Sequence, residues 1–273
     1  MDIIELSESM HTLNTICITH AVRDMGAIEL AKSLETNETL TKLILIDNQI
    51  GDYGAFVFAD ALRKNKTLKT FQLVFNPFGN LGAANLVNAI RENKTLTELY
   101  LSGNEIGDAI TIKFANALSH STLLTFCLSF NMIGDDGASA LATSLLQNKT
   151  LRKLVLSNNR IGDNGMAAFA NALLQNRSLT ILDVKYNIGK SNIDNRLKFN
   201  KLIQLYREHA QKKPEKFFTA EFYDKMYPFT DLDLDLSKKE RDFLLTCTQH
   251  IFVADGATQP LRKYINARPK SFY

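Results

Sequence analysis

NKTLRKLVLSNNRIGDNGMAAFANALLQ, residues 148–175, recurs along the chain with its apolar residues kept and its polar residues changed. Related copies begin at residue 93, NKTLTELYLSGNEIGDAITIKFANALS, and at residue 65, NKTLKTFQLVFNPFGNLGAANLVNAIRE. One leucine marks the same point of each copy, at steps of 27 or 28 residues: Leu40, Leu68, Leu96, Leu123, Leu151 and Leu179. A fixed period of this size predicts a solenoid in which each repeat packs against its neighbours.

The first part of each copy predicts a short strand. Leu154 and Leu156 alternate with polar or outward positions, so one strand face turns to a core and the other turns away. Asn159 follows the strand, where its amide can pair with backbone groups that a bend leaves unpaired. Its equivalents in the other copies are Asn48, Asn76, Asn104, Asn131 and Asn187. These asparagines predict a structural ladder.

The second part of each copy predicts a helix. Met166, Phe169, Ala170 and Leu173 fall on one face at helical spacing. Aspartates at the start of this segment are predicted to be helix N-caps: Asp52, Asp108, Asp135 and Asp163. Asn176, just past the helix, is predicted to adopt a left-handed C-cap conformation. A unit of one strand and one helix buries its apolar face only by stacking on further copies.

The repeated pattern L-x-x-L-x-L-x-x-N-x-I-G resembles the leucine-rich repeat family. The resemblance spans roughly residues 10–205 and is closest to the long ribonuclease-inhibitor-like repeat, also found in NOD-like immune receptors. It implies an α/β fold: a right-handed solenoid shaped like a horseshoe, with parallel strands on the concave side and helices on the convex side.

The regularity of the copies sets the domain boundaries. Residues 1–36 form a degenerate N-terminal capping repeat, in which Ala21 stands where the ladder asparagine belongs. Residues 37–211 hold the leucine-rich repeats. In residues 212–273 the pattern stops, and Ser237 and Glu240 have the spacing of a capping box before an apolar helix. This tail is predicted to be a helical C-terminal cap.

Composition excludes several classes of protein. A net charge of +3 is too small to indicate nucleic-acid binding, and three widely spaced cysteines build no disulfide framework. No signal peptide and no run of about 20 apolar residues stands out, which predicts a cytoplasmic protein without a membrane span. Nucleotide, zinc and hydrolase motifs are missing. DLDLDL at residues 231–236 lacks the glycine and closing glutamate of a calcium loop. We therefore expect no enzyme activity, no cofactor and no metal.

Outward positions of the strands provide the predicted binding site. Basic residues after the helices, such as Lys66 and Lys149, match what helix C-termini favour and need no ligand. The concave strand face is instead apolar and aromatic, which usually marks an interaction site. The predicted partner-binding residues are Ile44, Ile46, Val74, Phe75, Tyr100, Phe130 and Tyr186. Coverage of this face by the C-terminal tail or by a second copy is the alternative.

Together these features predict a monomeric module that binds a protein partner on its concave face. The ribonuclease inhibitor is acidic and rich in cysteine and tryptophan, whereas this chain has three cysteines and no tryptophan. The composition therefore disfavours the role of a ribonuclease inhibitor. The activator of the Ran GTPase shares the repeat type, and GTPase activation is the alternative function. Composition and architecture also resemble effectors that intracellular bacteria inject into host cells. That resemblance implies a virulence role, a host protein as partner and delivery without a conventional signal peptide.

Overall fold

The computed structural model describes residue 7 and residues 10–19 and 22–189. The chain divides into two units, Met1–Leu197 and Lys198–Tyr273, and the described residues all belong to the first. The predicted C-terminal cap at 212–273, with its capping box at Ser237, lies outside the described residues, as does Ala21.

Strands and helices alternate along the described chain. The strands are β1 Thr15–Thr19, β2 Lys42–Ile46, β3 Thr70–Val74, β4 Glu98–Tyr100, β5 Thr125–Cys127, β6 Lys153–Val155 and β7 Ile181–Asp183. The helices are α1 Arg23–Thr36, α2 Asp52–Lys64, α3 Asn80–Glu92, α4 Asp108–Leu118, α5 Asp135–Gln147 and α6 Asp163–Gln175, and a short 3-10 helix, Met10–Thr12, precedes β1. The strands form one parallel sheet in chain order, which confirms the predicted solenoid.

The core lies between the strand layer and the helix layer. Leu154 and Leu156 are buried, as the alternation predicted, and so are Phe169 and Leu173 on α6. Large rings join the two layers: Phe114 on α4 and Phe126 on β5 have centroids 5.3 Å apart. Because neighbouring strands lie about 4.8 Å apart and packed helices about 8–10 Å apart, the strand side of such a stack is the concave side.

The predicted asparagine ladder is confirmed at the ends of the strands. Asn104 donates from Nδ2 to the carbonyl of Leu73 in the preceding repeat at 2.8 Å, and its Oδ1 accepts from the backbone N–H of Asn76 at 2.9 Å. The same exchange links Asn48 to Asn76 and Asn104 to Asn131. In the last two repeats the ladder Oδ1 accepts instead from an isoleucine N–H of the preceding repeat: Asn159 from Ile133 and Asn187 from Ile161. Each ladder amide thus bonds backbone groups of the preceding repeat.

The predicted left-handed C-cap at Asn176 is wrong. Its backbone is extended, with φ −73° and ψ 129°, because the chain turns from α6 straight towards the next strand. The side chain does the capping: Nδ2 donates to the carbonyl of Leu145 in the preceding helix at 2.7 Å, and Oδ1 accepts from the N–H of Leu179 at 2.8 Å. Equivalent residues form a second asparagine row: Asn37, Asn65, Asn93, Asn148 and Asn176.

The predicted aspartate N-caps are also wrong, by one residue and one repeat. The N-cap of α6 is Gly162, with no side-chain capping bond, and Asp163 is already helical. Asp135, at the start of the preceding helix, accepts from the N–H groups of Gly162 at 2.7 Å and Gly165 at 2.8 Å. A carboxylate therefore caps the next helix, where it also faces the positive end of the helix dipole.

Candidate binding surface

Side chains at the outward positions of β1–β7 form one continuous surface, here called the strand face. Registered pairing places Ile44 beside Gln72, Gln72 beside Tyr100 and Tyr100 beside Cys127. Ile44, Ile46 and Val74 lie at outward positions of this surface and are each half-buried, because the neighbouring strands cover part of each side chain. The N-terminal half of the strand face therefore has an apolar floor.

The residue before each ladder asparagine has a left-handed backbone. Six consecutive repeats share it: Asp47 at φ 55°, Phe75 at 52°, Gly103 at 70°, Phe130 at 55°, Asn158 at 56° and Tyr186 at 57°. Glycine and asparagine adopt this region readily, whereas a bulky residue pays about 1–3 kcal/mol. The turn brings the ladder amide inwards, and these six described repeats all have it. Because strained residues cluster at functional sites, aromatic residues at this position indicate a candidate functional surface.

Phe75 and Phe130 form an exposed aromatic pair. Their ring centroids are 5.8 Å apart at an interplanar angle of 57°, although the repeat that contains Gly103 lies between their two repeats. Gly103, between them, makes the contact possible, since a Cβ at this glycine would lie 2.2 Å from Cδ1 of Phe75. The two residues remain 50% and 53% exposed. The sequence placed both rings on this face, but not in contact and not over Gly103.

Tyr100 is held by a carboxylate beside the aromatic pair. Its hydroxyl donates to Oε2 of Glu98 at 3.3 Å, and Thr70 Oγ1 donates to the same oxygen at 3.2 Å. Burial raises the pKa of Tyr100 to about 12, and the negative charge and hydrogen bond of Glu98 add to the effect. Sequence reasoning predicted Tyr100 as an apolar contact and missed Glu98 as its partner.

Tyr186, the last predicted site residue, is not part of the aromatic pair. It is 79% exposed at the left-handed position of β7, and Asn158 occupies the equivalent position between it and Phe130. Backbone bonds from Phe130 to Ser157 and from Asn158 to Lys185 fix this order. Tyr186 therefore lies as many repeats from Phe130 as Phe75 does, but Asn158 rather than a glycine stands between them.

A depression that the sequence did not reveal lies beside Phe75. It is open to solvent, has a volume of about 620 Å³ and is lined by Thr19, Ile46, Asp47 and Phe75. These residues come from three neighbouring strands and the turns after them, so only the parallel register brings them together. We call it the Asp47 depression.

Cys127 lies in the strand face, but its side chain is buried and is not exposed on that surface. Its Sγ lies 3.1 Å from Ser102 Oγ, and Ser129 Oγ lies 3.0 Å from Ser157 Oγ on the next strand. These small polar groups satisfy one another across the sheet.

Exposed apolar side chains also occur in the first two turns of the N-terminal helices, and this set is here called the helix-side patch. It consists of Met25 (75% exposed), Tyr53 (56%), Phe56 (45%), Leu81 (75%) and Ile112 (38%). Tyr53 and Phe56 stack at 6.1 Å. The sequence analysis did not predict this helix-side patch, because helical periodicity identifies the positions that face the core and gives no signal for apolar residues on the exposed face.

The basic residues after the helices bind helix ends, as predicted. Lys149 donates to the carbonyl of Leu146 at 2.8 Å and Arg177 to that of Leu174 at 2.7 Å. Lys66 donates to the carbonyl of Arg63 at 3.2 Å. Each charge lies at the negative end of a helix dipole, so this row serves the fold.

Among the residues that the structure describes, no three or more His, Cys, Asp or Glu side chains are grouped so as to hold a metal ion. Within the same ranges, no helix combines the length and the apolar character that crossing a membrane requires.

Five segments of the chain match the family described as Leucine Rich repeat: residues 36–59, 64–87, 92–115, 119–142 and 147–170. No curated protein matches the sequence. A solved structure titled Leiomodin-1 Actin-Binding Site 2 is 16% identical over 77% of this chain and 96% of that chain, with a TM-score of 0.41. A Caenorhabditis elegans tropomodulin C-terminal domain is 14% identical over 54% of this chain and 93% of that chain, with a TM-score of 0.47. The ribonuclease-inhibitor-like type of the repeats stays a prediction.

Proposed function

We propose that this chain of leucine-rich repeats is a non-enzymatic protein-interaction module that binds a protein partner on its strand face. The observation that carries the proposal is the aromatic pair. Two half-exposed rings contact each other over a glycine, at backbone positions where aromatic residues are strained. Exposed aromatic clusters are the usual anchors of protein interfaces.

The surroundings of the aromatic pair support the same function. Ile46 and Val74 continue the apolar surface on one side, and on the other side the buried Ser129 and the half-buried Ser157, which are hydrogen-bonded to each other, form a polar margin. An apolar centre with a polar margin is the common composition of a protein interface. The fixed backbone of the parallel sheet keeps the rings in place before a partner arrives, which lowers the entropy lost on binding.

Partner capture followed by measurement of affinity tests the proposal. The wild type and three double variants are used as baits in a host-cell lysate, and the dissociation constant of each bait for the captured protein is then determined. Phe75→Ala with Phe130→Ala should weaken binding at least about 30-fold, which corresponds to about 2 kcal/mol, because two anchors are lost together. Circular dichroism should show an unchanged fold, since both rings point away from the core.

The matched controls change exposed residues elsewhere. Tyr53→Ala with Phe56→Ala removes an aromatic pair from the helix-side patch, and Lys66→Ser with Lys149→Ser removes two exposed charges. Both should bind within about threefold of the wild type. Tyr53 and Phe56 lie on the helix side, away from the proposed interface, and charges at the margin of an interface mainly alter the association rate. Loss of binding in either control, with binding kept in the strand-face variant, would move the interface off the strand face.

The identity and origin of the partner are further proposals. From the resemblance to injected bacterial effectors, we propose that the partner is a host protein and that this chain acts in the host cytoplasm as a monomer. The support is the likeness in composition and architecture. Capture of the same protein from host lysate by the wild type, and not by the strand-face variant, is the expected result. Faster GTP hydrolysis by an added small GTPase would instead support the GTPase-activating alternative.

A further inference from the structure

We propose that the Asp47 depression binds an arginine side chain of the protein partner. The inference deepens the proposed function and rests on it, since it assigns one chemical group of the partner to one place on the strand face. Thr19, Ile46, Asp47 and Phe75 line the depression.

Two walls of the depression suit the stem and the plane of an arginine. Ile46 is half-buried at the end of β2, and Phe75 offers a ring from the next repeat. Arginine lays its methylene groups along apolar surface and stacks its planar guanidinium on aromatic faces. An open depression of this shape accepts a side chain from above, whereas it would leave most of a free small molecule in water.

Asp47 supplies the charge that makes the depression selective. Its backbone N–H donates to the carbonyl of Val74 at 3.0 Å, which fixes it beside Phe75. A carboxylate has about four acceptor sites, so it can receive a guanidinium in addition to bonds within its own chain. Neighbouring parallel strands lie about 4.8 Å apart, so one guanidinium can reach the carboxylate and the ring together.

Comparison along the left-handed row shows that this combination occurs once. The other described residues at this position are Phe75, Gly103, Phe130, Asn158 and Tyr186, none of them charged. An acidic residue next to an aromatic ring therefore occurs in this row only at the boundary between β2 and β3. That places the basic group of the partner on the N-terminal side of its apolar contact with the aromatic pair.

The test uses a small probe and needs no knowledge of the partner. N-acetyl-arginine amide is titrated into the full chain and followed by NMR shifts of Thr19, Ile46 and Phe75. Saturable shifts at these residues are expected. N-acetyl-citrulline amide, which has nearly the same shape without the charge, should bind at least about fivefold more weakly, the equivalent of about 1 kcal/mol. The lysine analogue should also bind more weakly, because it lacks the planar group.

Two variants complete the design. Asp47→Asn should weaken the arginine probe at least about fivefold while keeping the fold, because asparagine tolerates the left-handed backbone. Glu105→Gln removes another exposed carboxylate with positive φ, at 57°, and should leave the affinity unchanged. Equal binding of arginine and citrulline probes, or no effect of Asp47→Asn, would overturn the proposal. So would a lysine probe that binds more tightly than arginine.

Failure here and failure of the proposed function can be told apart. Asp47→Asn leaves Phe75 and Phe130 intact, so partner capture through the aromatic pair can persist while the arginine probe fails. Conversely, the probe can bind while the loss of the aromatic pair leaves partner capture unchanged. In that case the depression would be real, but the interface would lie elsewhere.

Discussion

At the scale of single residues, the left-handed position before each ladder asparagine controls what the strand face displays. A side chain there leaves the sheet at its edge, and neighbouring repeats place these side chains side by side. Asn158 and Gly103 suit the backbone, whereas Phe75 and Phe130 strain it. The chain thus carries two residues that its own stability disfavours, which is consistent with the binding role proposed for this surface.

Gly103→Ala tests this reading of the aromatic pair. The added methyl group would meet the ring of Phe75 and would occupy a backbone with φ 70°. We expect a loss of about 1–2 kcal/mol in unfolding free energy and a displaced Phe75 ring, measurable by denaturation and by aromatic NMR shifts. Gly79→Ala is the control, because no atom lies within 4 Å of a Cβ there. Equal effects of the two variants would contradict the role of Gly103.

The phenol of Tyr100 should ionise unusually late. Its pKa is raised to about 12, first by burial and then by Glu98, whereas an unfolded tyrosine ionises near about 10. The folded state therefore keeps the proton longer, so this contribution to stability is complete below pH 10 and declines as the pH rises through 12. Ultraviolet titration of the wild type minus Tyr100→Phe should show a phenol ionising near 12. Glu98→Gln should lower that pKa part of the way; an ordinary value in the wild type would refute the assignment.

At the scale of the elements, each repeat finishes the hydrogen bonding of its neighbours. Two asparagine rows and one acidic row run along the solenoid, at the ends of the strands, the C-termini of the helices and the N-termini of the helices. Asn80 breaks the acidic row: its Oδ1 accepts from the N–H of Gly107 at 3.1 Å. Ile110 stands where other helices carry the glycine that donates the second bond. The rows are local in the fold but join residues about a repeat apart in the chain.

Asn104→Ala should be among the most damaging polar substitutions. Asn104 is fully buried, and its amide joins backbone groups of Leu73, Asn76 and Ser102. Removing it leaves buried groups unpaired, so we expect a loss of about 2–4 kcal/mol, measured by urea denaturation. Asn88→Ala, on the exposed face of α3, should change stability by less than about 0.5 kcal/mol. Similar losses in both variants would mean that the ladder contributes little.

At the scale of the whole molecule, stacking makes one core from units that cannot be stable alone. The two exposed apolar surfaces lie on opposite layers, the strand face and the helix-side patch, and both are concentrated in the N-terminal four or five repeats. Later helices carry polar residues at the matching positions, for example Asp136 and Asn164. A solenoid can vary these positions freely because the core does not depend on them.

Leu128→Ala should weaken the whole described solenoid. Leu128 directly follows β5 in a central repeat and is fully buried, so its truncation should cost about 2–5 kcal/mol in unfolding free energy. Leu124, four residues earlier, is 43% exposed, and Leu124→Ala should cost much less. Chemical denaturation of the two variants compares the same substitution inside and outside the core. An unchanged midpoint for Leu128→Ala would mean that the strand faces are reversed.

Local pattern was enough to predict the solenoid, its strand faces and the ladder from Asn48 to Asn187. Burial of alternate residues depends on a period that can be read within one copy. It was also enough to place Phe75, Tyr100 and Phe130 on the strand face. The same reasoning misassigned Asp163 and Asn176, because it sought capping within one helix when these side chains work between repeats.

Tertiary structure alone decided which of those residues meet. The contact of Phe75 with Phe130 requires two left-handed turns and a glycine at position 103 between them. The Asp47 depression requires three strands in register, with Thr19 brought beside Phe75. Repetition in a sequence indicates which residues are equivalent. The distance between equivalent side chains depends on the strand spacing, the sign of the backbone φ angle and the size of the rings. These act between repeats, so they appear only once the repeats are stacked.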